Sequence, residues 1–135
     1  MLKKTQMRVG DTLPQREFKP DHVQLFLYNA VLFNAHRIHF DYEYTTQVEK
    51  YPDLVVPGPL IGDWLNQCVN DWLEEEGHLV SIEYSNRIAA YVGETLYSGG
   101  EITLYNEETG ETSIELYVKN EAGEVIAPGV AVVYV

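Results

Sequence analysis

The sequence has one cysteine, Cys68, few basic residues and no long apolar run. A single thiol excludes an internal disulfide and any zinc site built on several thiolates, and it fits a reducing compartment. No stretch reaches the roughly 20 apolar residues that cross a bilayer, and the start, Met1-Leu2-Lys3-Lys4-Thr5-Gln6, lacks the apolar segment of a secretory signal. The expectation is a cytoplasmic protein with no membrane partner. Nine Lys and Arg stand against 21 Asp and Glu, a formal net charge of −12. That balance repels the phosphate backbone on which nucleic-acid affinity depends, so no nucleic-acid partner is expected.

What is present is enough for a packed core: 135 residues, 45% hydrophobic and 12% aromatic. Neither a repeat nor an interdomain linker interrupts the chain, so residues 1–135 read as one domain. The charge is uneven. Residues 1–50 hold seven basic and six acidic side chains, whereas residues 51–135 hold two and fifteen. An anionic ligand would therefore be sought in the first half; the acidic second half reads as a solvated surface.

Three stretches follow one another. In the first, Gly10-Asp11 and Pro14 punctuate a polar lead-in, and Asp21 is placed to cap a short helix. There Val23, Phe26, Leu27 and Ala30 have the spacing of one buried face. The segment from Phe33 to Asp41 after it reads as too polar and irregular for core. The second stretch opens at Pro57-Gly58-Pro59, since proline is tolerated in a first helical turn. Beyond it the apolar pairs Leu60-Ile61, Trp64-Leu65, Cys68-Val69 and Trp72-Leu73 recur every four residues. They leave Asp63, Asn66, Gln67, Asn70 and Asp71 on a narrow polar stripe, which predicts a helix enclosed on most sides, with Gly77 as its left-handed cap. The third stretch is strand after strand. His78–Tyr84 carries Val80, Ile82 and Tyr84 on one face, residues 94–105 and 111–119 follow around a turn at 106–110, and residues 125–135 are broken by Pro128-Gly129. Consecutive short-looped strands pair antiparallel, so the pattern gives an α+β domain in which a curved antiparallel sheet grips one long helix.

Phe33-Asn34-x-His36-Arg37-Ile38-His39-Phe40-Asp41, followed by Tyr51-Pro52-x-Leu54-Val55-Val56-x-Gly58-Pro59-Leu60, resembles the MaoC-like hot-dog proteins. The nearest branch in pattern contains type 2 hydroxyacyl-thioester dehydratases and mesaconyl-coenzyme A hydratase. Weaker likeness extends to Val9–Pro14 and to the Gly123, Gly129 and Val132 ending. The resemblance implies the hot-dog fold, pairing of two such domains as a homodimer or a heterodimer, and reversible hydration of a 2-enoyl thioester to an (R)-3-hydroxyacyl product. No cofactor is implied beyond the coenzyme A of the substrate. The family's general motif, roughly Asp-x-Asn-Pro-x-His, puts its His on His39 and its Asp on Asn34, an amide that cannot take up a proton. Pro57 stands where His is expected and removes a backbone donor. By the same resemblance His36, Arg37, Val56, Pro57 and Pro59 line the substrate.

The chemistry asks for three tools. A group titrating near neutrality must handle the water proton, the role given to His39. An amide must hold the water, the role given to Asn34 through its carbonyl and NH2. A fixed donor must meet the thioester oxyanion, and the Gly58 N–H at the start of the long helix is placed for it. Each has a plainer reading beside it: His39 as a hydrogen-bonded core residue, Asn34 as a turn residue, Gly58 as a helix start. Arg37 suits a phosphate or carboxylate, or pairs with Asp41 or Glu43. The cluster from His36 to Asp41 lacks metal-site spacing, so no metal is assigned. Cys68, among the apolar pairs, reads as packing. Two other functions compete: a non-catalytic hot-dog subunit that completes a partner's pocket, and a hot-dog thioesterase, for which only Asp63 lies near the helix start.

Overall fold

The computed structural model describes residues 7–135. Its order is β1 (Thr12–Phe18), α1 (His22–Val31), a 3-10 turn (Arg37–His39), α2 (Tyr42–Gln47), α3 (Gly58–Leu73), β2 (His78–Tyr84), β3 (Leu96–Tyr105), β4 (Glu111–Lys119) and β5 (Val125–Tyr134). The strands form an antiparallel sheet in the order β1-β3-β4-β5-β2. Its concave face holds α3, so the expected α+β arrangement of a long helix gripped by a sheet is the one observed.

The paired apolar residues explain that grip. Leu60, Ile61, Trp64, Leu65, Cys68, Val69, Trp72 and Leu73 are all buried, while Asp63, Gln67, Asn70 and Asp71 are exposed. The opposing wall comes from strict alternation in β4, where Thr112, Ile114, Leu116 and Val118 point inward, with Ala127, Ala131 and Val133 of β5 beside them. Phe18 closes one end by stacking on Trp64 with ring centroids 4.4 Å apart. Burial raises the Cys68 thiol to about 11, so it is packing and not a nucleophile.

Tertiary context overrides several expectations. The polar lead-in contains β1, an edge strand with Leu13 as its buried residue; the sheet edge and not an apolar pattern makes it a strand. Asp21 does cap α1, its carboxylate accepting from the Gln24 N–H. The buried face of α1 is the other one, however: Leu25 and Asn29 turn inward, and Val23, Phe26, Leu27 and Ala30 lie outside. Helix α3 ends at Glu74, whose φ is 54°, and not at Gly77. Gly77 is needed for space, because a Cβ there would overlap the Tyr134 carbonyl oxygen. A register shift between Leu79 and Ser81 turns Val80 outward and leaves Leu79 and Ile82 against the core. Pro128-Gly129 does not break β5: Pro128 lacks an N–H, but its carbonyl accepts from Ser85 and the strand runs through.

Leu65→Ala should cost about 2–5 kcal/mol, the usual range for emptying a fully buried leucine site. Gln67→Ala, on the exposed stripe, should stay within about 0.5 kcal/mol. Urea denaturation midpoints of the two variants check the difference, and equal losses would contradict an enclosed α3.

Candidate active site

The segment that reads as too polar for core is the one that carries His39 inside. In the 3-10 turn at Arg37–His39, Ile38 and His39 are buried, the imidazole at 7% exposure. Two hydrogen bonds lock the turn to the segment leading into α3: the Val55 N–H donates to the Ile38 carbonyl at 2.9 Å, and His39 Nδ1 lies 2.7 Å from the Val55 carbonyl oxygen. A carbonyl oxygen only accepts, so Nδ1 carries the hydrogen and Nε2 of the neutral ring keeps its lone pair. Desolvation by burial is the largest influence on this ring and holds its pKa below the usual histidine value. The Val55 bond opposes that shift, and the neighbouring His36, its ring centroid 5.6 Å away and nearly perpendicular, adds to it. His39 is therefore a neutral imidazole with Nδ1 fixed and, among the described residues, no hydrogen bond on Nε2.

The surrounding turns are built by polar side chains that close on the backbone. Asn34 Oδ1 accepts from the His36 N–H at 3.0 Å, and the Asn34 N–H donates to the Asn29 carbonyl. This is an Asx turn, so the Asn34 carbonyl is engaged in shaping the approach to His39. Its NH2 group has no hydrogen bond among the described residues and is the part left for a ligand. Asp41 caps α2 by accepting from the Tyr44 N–H and takes two hydrogen bonds from Arg37, at 3.0 and 2.7 Å. These partners, the Tyr44 amide first, hold its carboxyl below the ordinary range. Arg37 also lies 4.2 Å over the Tyr44 ring. The structure thus places Arg37 in an ion pair with Asp41, not Glu43. Phe40 meets Phe26 edge-on at 6.1 Å, bracing the turn against α1.

The loop before α3 is clamped on its other side. Val56 donates to the Ala90 carbonyl and Val92 donates to the Leu54 carbonyl. Val56 sits in the core and Pro57 is also buried, whereas Pro59 and His36 are exposed. At the start of α3 the Leu60 and Ile61 N–H groups both turn back to the Pro57 carbonyl, and Pro57 and Pro59 have no N–H. That leaves the Gly58 N–H as an unpaired donor among the described residues, at the positive end of a 16-residue helix. Tyr28 ties α1 to the same end through a 2.7 Å hydrogen bond to Asp63.

Of the residues singled out in the sequence, His39 is bonded to Val55, three positions before Gly58, and Asn34 closes the turn before His36. Sequence reasoning misses the Ala90-Tyr91-Val92 clamp and Asn86, whose carboxamide lies against Gly58. Neither belongs to a spaced motif; a short apolar segment between loops is the only trace of the clamp. No group of three His, Cys, Asp or Glu side chains is gathered as a metal site among the described residues.

Comparison with known proteins places the chain in a family and a fold. Residues 2–92 match the model of the hydroxyacyl-thioester dehydratase type 2 family. Over 52 residues the chain is 46% identical to the mitochondrial hydroxyacyl-thioester dehydratase type 2 of Schizosaccharomyces pombe, covering 37% of this chain and 17% of that protein. It is 52% identical over 46 residues to the mesaconyl-C(4)-CoA hydratase of Chloroflexus aurantiacus, covering 34% of this chain and 16% of the relative. These matches thus span less than a fifth of either relative's length. The (R)-hydratase from A. caviae involved in PHA biosynthesis superposes with a TM-score of 0.86 over 96% of this chain and 98% of its own, at 15% identity. That likeness establishes the hot-dog fold. With the His39 turn, the Gly58 helix start and two thirds of its length inside one family pattern, the chain belongs to the hydroxyacyl-thioester dehydratase type 2 family.

Proposed function

We propose that the protein catalyses the reversible hydration of a 2-enoyl thioester, carried on coenzyme A, to the (R)-3-hydroxyacyl thioester. The observation that carries this reading is the buried, neutral His39 with Nδ1 committed to the Val55 carbonyl and Nε2 free. Nε2 takes a proton from water as the water oxygen bonds to C3; electrons move through the alkene onto the thioester oxygen. The imidazolium then returns a proton to C2, the oxyanion collapses, and the sum is one water added across the double bond. The Gly58 N–H and the α3 dipole favour the transient negative charge. The Asn34 NH2 orients the water. Dehydration runs the same steps backwards.

Coenzyme A as the carrier is supported by the likeness to mesaconyl-C(4)-CoA hydratase, 52% identical over 46 residues. The outward apolar face of α1, with Val23, Phe26, Leu27 and Val31 exposed, supports pairing with another hot-dog domain, a second copy or a different subunit.

With crotonyl-coenzyme A or longer and branched enoyl thioesters, absorbance at the enoyl band should fall without release of free thiol; thiol release would indicate a thioesterase. His39→Ala should lower turnover at least about a hundredfold with circular dichroism unchanged. Because the folded-state pKa of His39 is lowered, Nε2 stays unprotonated down to below pH 6.5. The acid limb of turnover should therefore lie below that value, and an NMR titration of the His39 ring should give the same midpoint. By linkage its contribution to stability is full above about pH 6.5 and declines as pH falls through the folded-state value, where the unfolded chain binds the proton more readily. Asn34→Asp keeps the turn acceptor and should retain measurable turnover. Asn34→Leu removes both the turn bond and the water contact and should lose it. Equal rates in the unsubstituted protein and both variants would make Asn34 a turn residue with no part in the reaction.

A further inference from the structure

An oxyanion presents more than one lone pair, and a site that stabilises it well aims at least two fixed donors at one point. Among the described residues the start of α3 supplies one, since Pro57 and Pro59 have no N–H and those of Leu60 and Ile61 are closed on Pro57. A side-chain amide from the loop after β2 lies beside this helix start. The Asn86 carboxamide lies so close over Gly58 that a Cβ on Gly58 would overlap its Nδ2, with Cγ at 3.2 Å and Oδ1 farther off at 3.8 Å. The nitrogen end is therefore the one turned to the helix start. Among the described residues this side chain has no hydrogen-bond partner, and it is exposed to incoming ligand. Its backbone is not loose. The Ser85 N–H donates to the Pro128 carbonyl at 3.1 Å, and the Arg87 N–H donates to the Ile126 carbonyl at 2.9 Å. Asn86 is held between two bonds to β5, so its side chain starts from a fixed point.

We infer that Asn86 Nδ2 is the second hydrogen-bond donor to the thioester carbonyl oxygen, acting with the Gly58 N–H on the same atom. The inference rests on the hydratase reading of the His39 site and adds to it a residue from the loop after β2. It also gives Gly58 a second reason to lack a side chain. A methyl group there would push the carboxamide aside, which is the far end of a movable side chain and not backbone, so Gly58→Ala should fold while losing this donor.

The test uses a chromophoric substrate, hexa-2,4-dienoyl-coenzyme A, whose absorbance shifts to longer wavelength when its carbonyl is polarised. In the His39→Ala protein, where turnover is stalled, bound dienoyl thioester should show the red shift. Adding Asn86→Ala or the isosteric Asn86→Asp should remove most of it. In the protein with His39 intact, each Asn86 substitution should lower kcat for crotonyl-coenzyme A about a hundred- to thousandfold with KM changed less than threefold, the scale of one lost oxyanion donor. Combining Gly58→Ala with Asn86→Ala should cost little more than either alone, since both remove the same contact. An unchanged red shift and kcat in Asn86→Asp would overturn the inference while leaving the hydratase reading intact. A higher kcat in Asn86→Ala would also overturn it, because the carboxamide would then be blocking Gly58. Absence of both hydration and binding in the unsubstituted protein would sink the two readings together.

Discussion

The contact between His39 and the Val55 carbonyl is the constraint on which the rest of the site depends. One buried 2.7 Å hydrogen bond sets the tautomer of the ring and ties the 3-10 turn to the segment that starts α3. The reciprocal bond from the Val55 N–H to the Ile38 carbonyl makes the connection two-point, so neither segment can slide without exposing a buried backbone group. An unpaired amide or carbonyl in that position would cost about 1–3 kcal/mol, which is large against the stability of a small domain. The contact that fixes the ring of His39 is therefore also part of what folds the protein.

A second consequence concerns where polarity is allowed. Helix α3 is buried on most of its circumference, so the sheet has little freedom to place polar groups inside; Thr112 and Ser98 are among the few. Polar chemistry is instead gathered at the mouth of the helix, where the Pro57-Gly58-Pro59 start leaves a single donor open and the turn from Asn34 to Asp41 closes on itself through Asn34, Asp41 and Thr45. Those side chains hold backbone, which keeps the ring of His39 oriented without a carboxylate beside it. Among the described residues the ring has no carboxylate partner, which fits a histidine kept neutral by desolvation, since a nearby negative charge would raise its pKa.

Much of the fold was legible because its signals are local. Apolar pairs every four residues marked α3, alternation marked β4 to its ends, and Asp21 marked the start of α1. What failed did so for identifiable reasons. The periodicity of α1 showed that the helix is amphipathic but not which face is covered, and Leu25 with Asn29 turned out to be the covered one. Strand β1 has almost no apolar alternation and exists because β3 offers it an edge. Pro128 looked like a breaker, yet pairing on both sides carries the strand through it.

The sequence by itself determined the central helix, the strand-rich second half, the family pattern and the positions of His39, Asn34 and Gly58, because each is written in residues close together along the chain. Only the tertiary structure decided that Nδ1 is the nitrogen bound to the Val55 carbonyl, that the Asn34 carbonyl closes a turn, that Arg37 is occupied by Asp41, and that Asn86 reaches Gly58. The decisive partners, residue 39 with 55 and residue 58 with 86, are separated by many residues. Their meeting depends on how the sheet curls around α3, which no local spacing encodes.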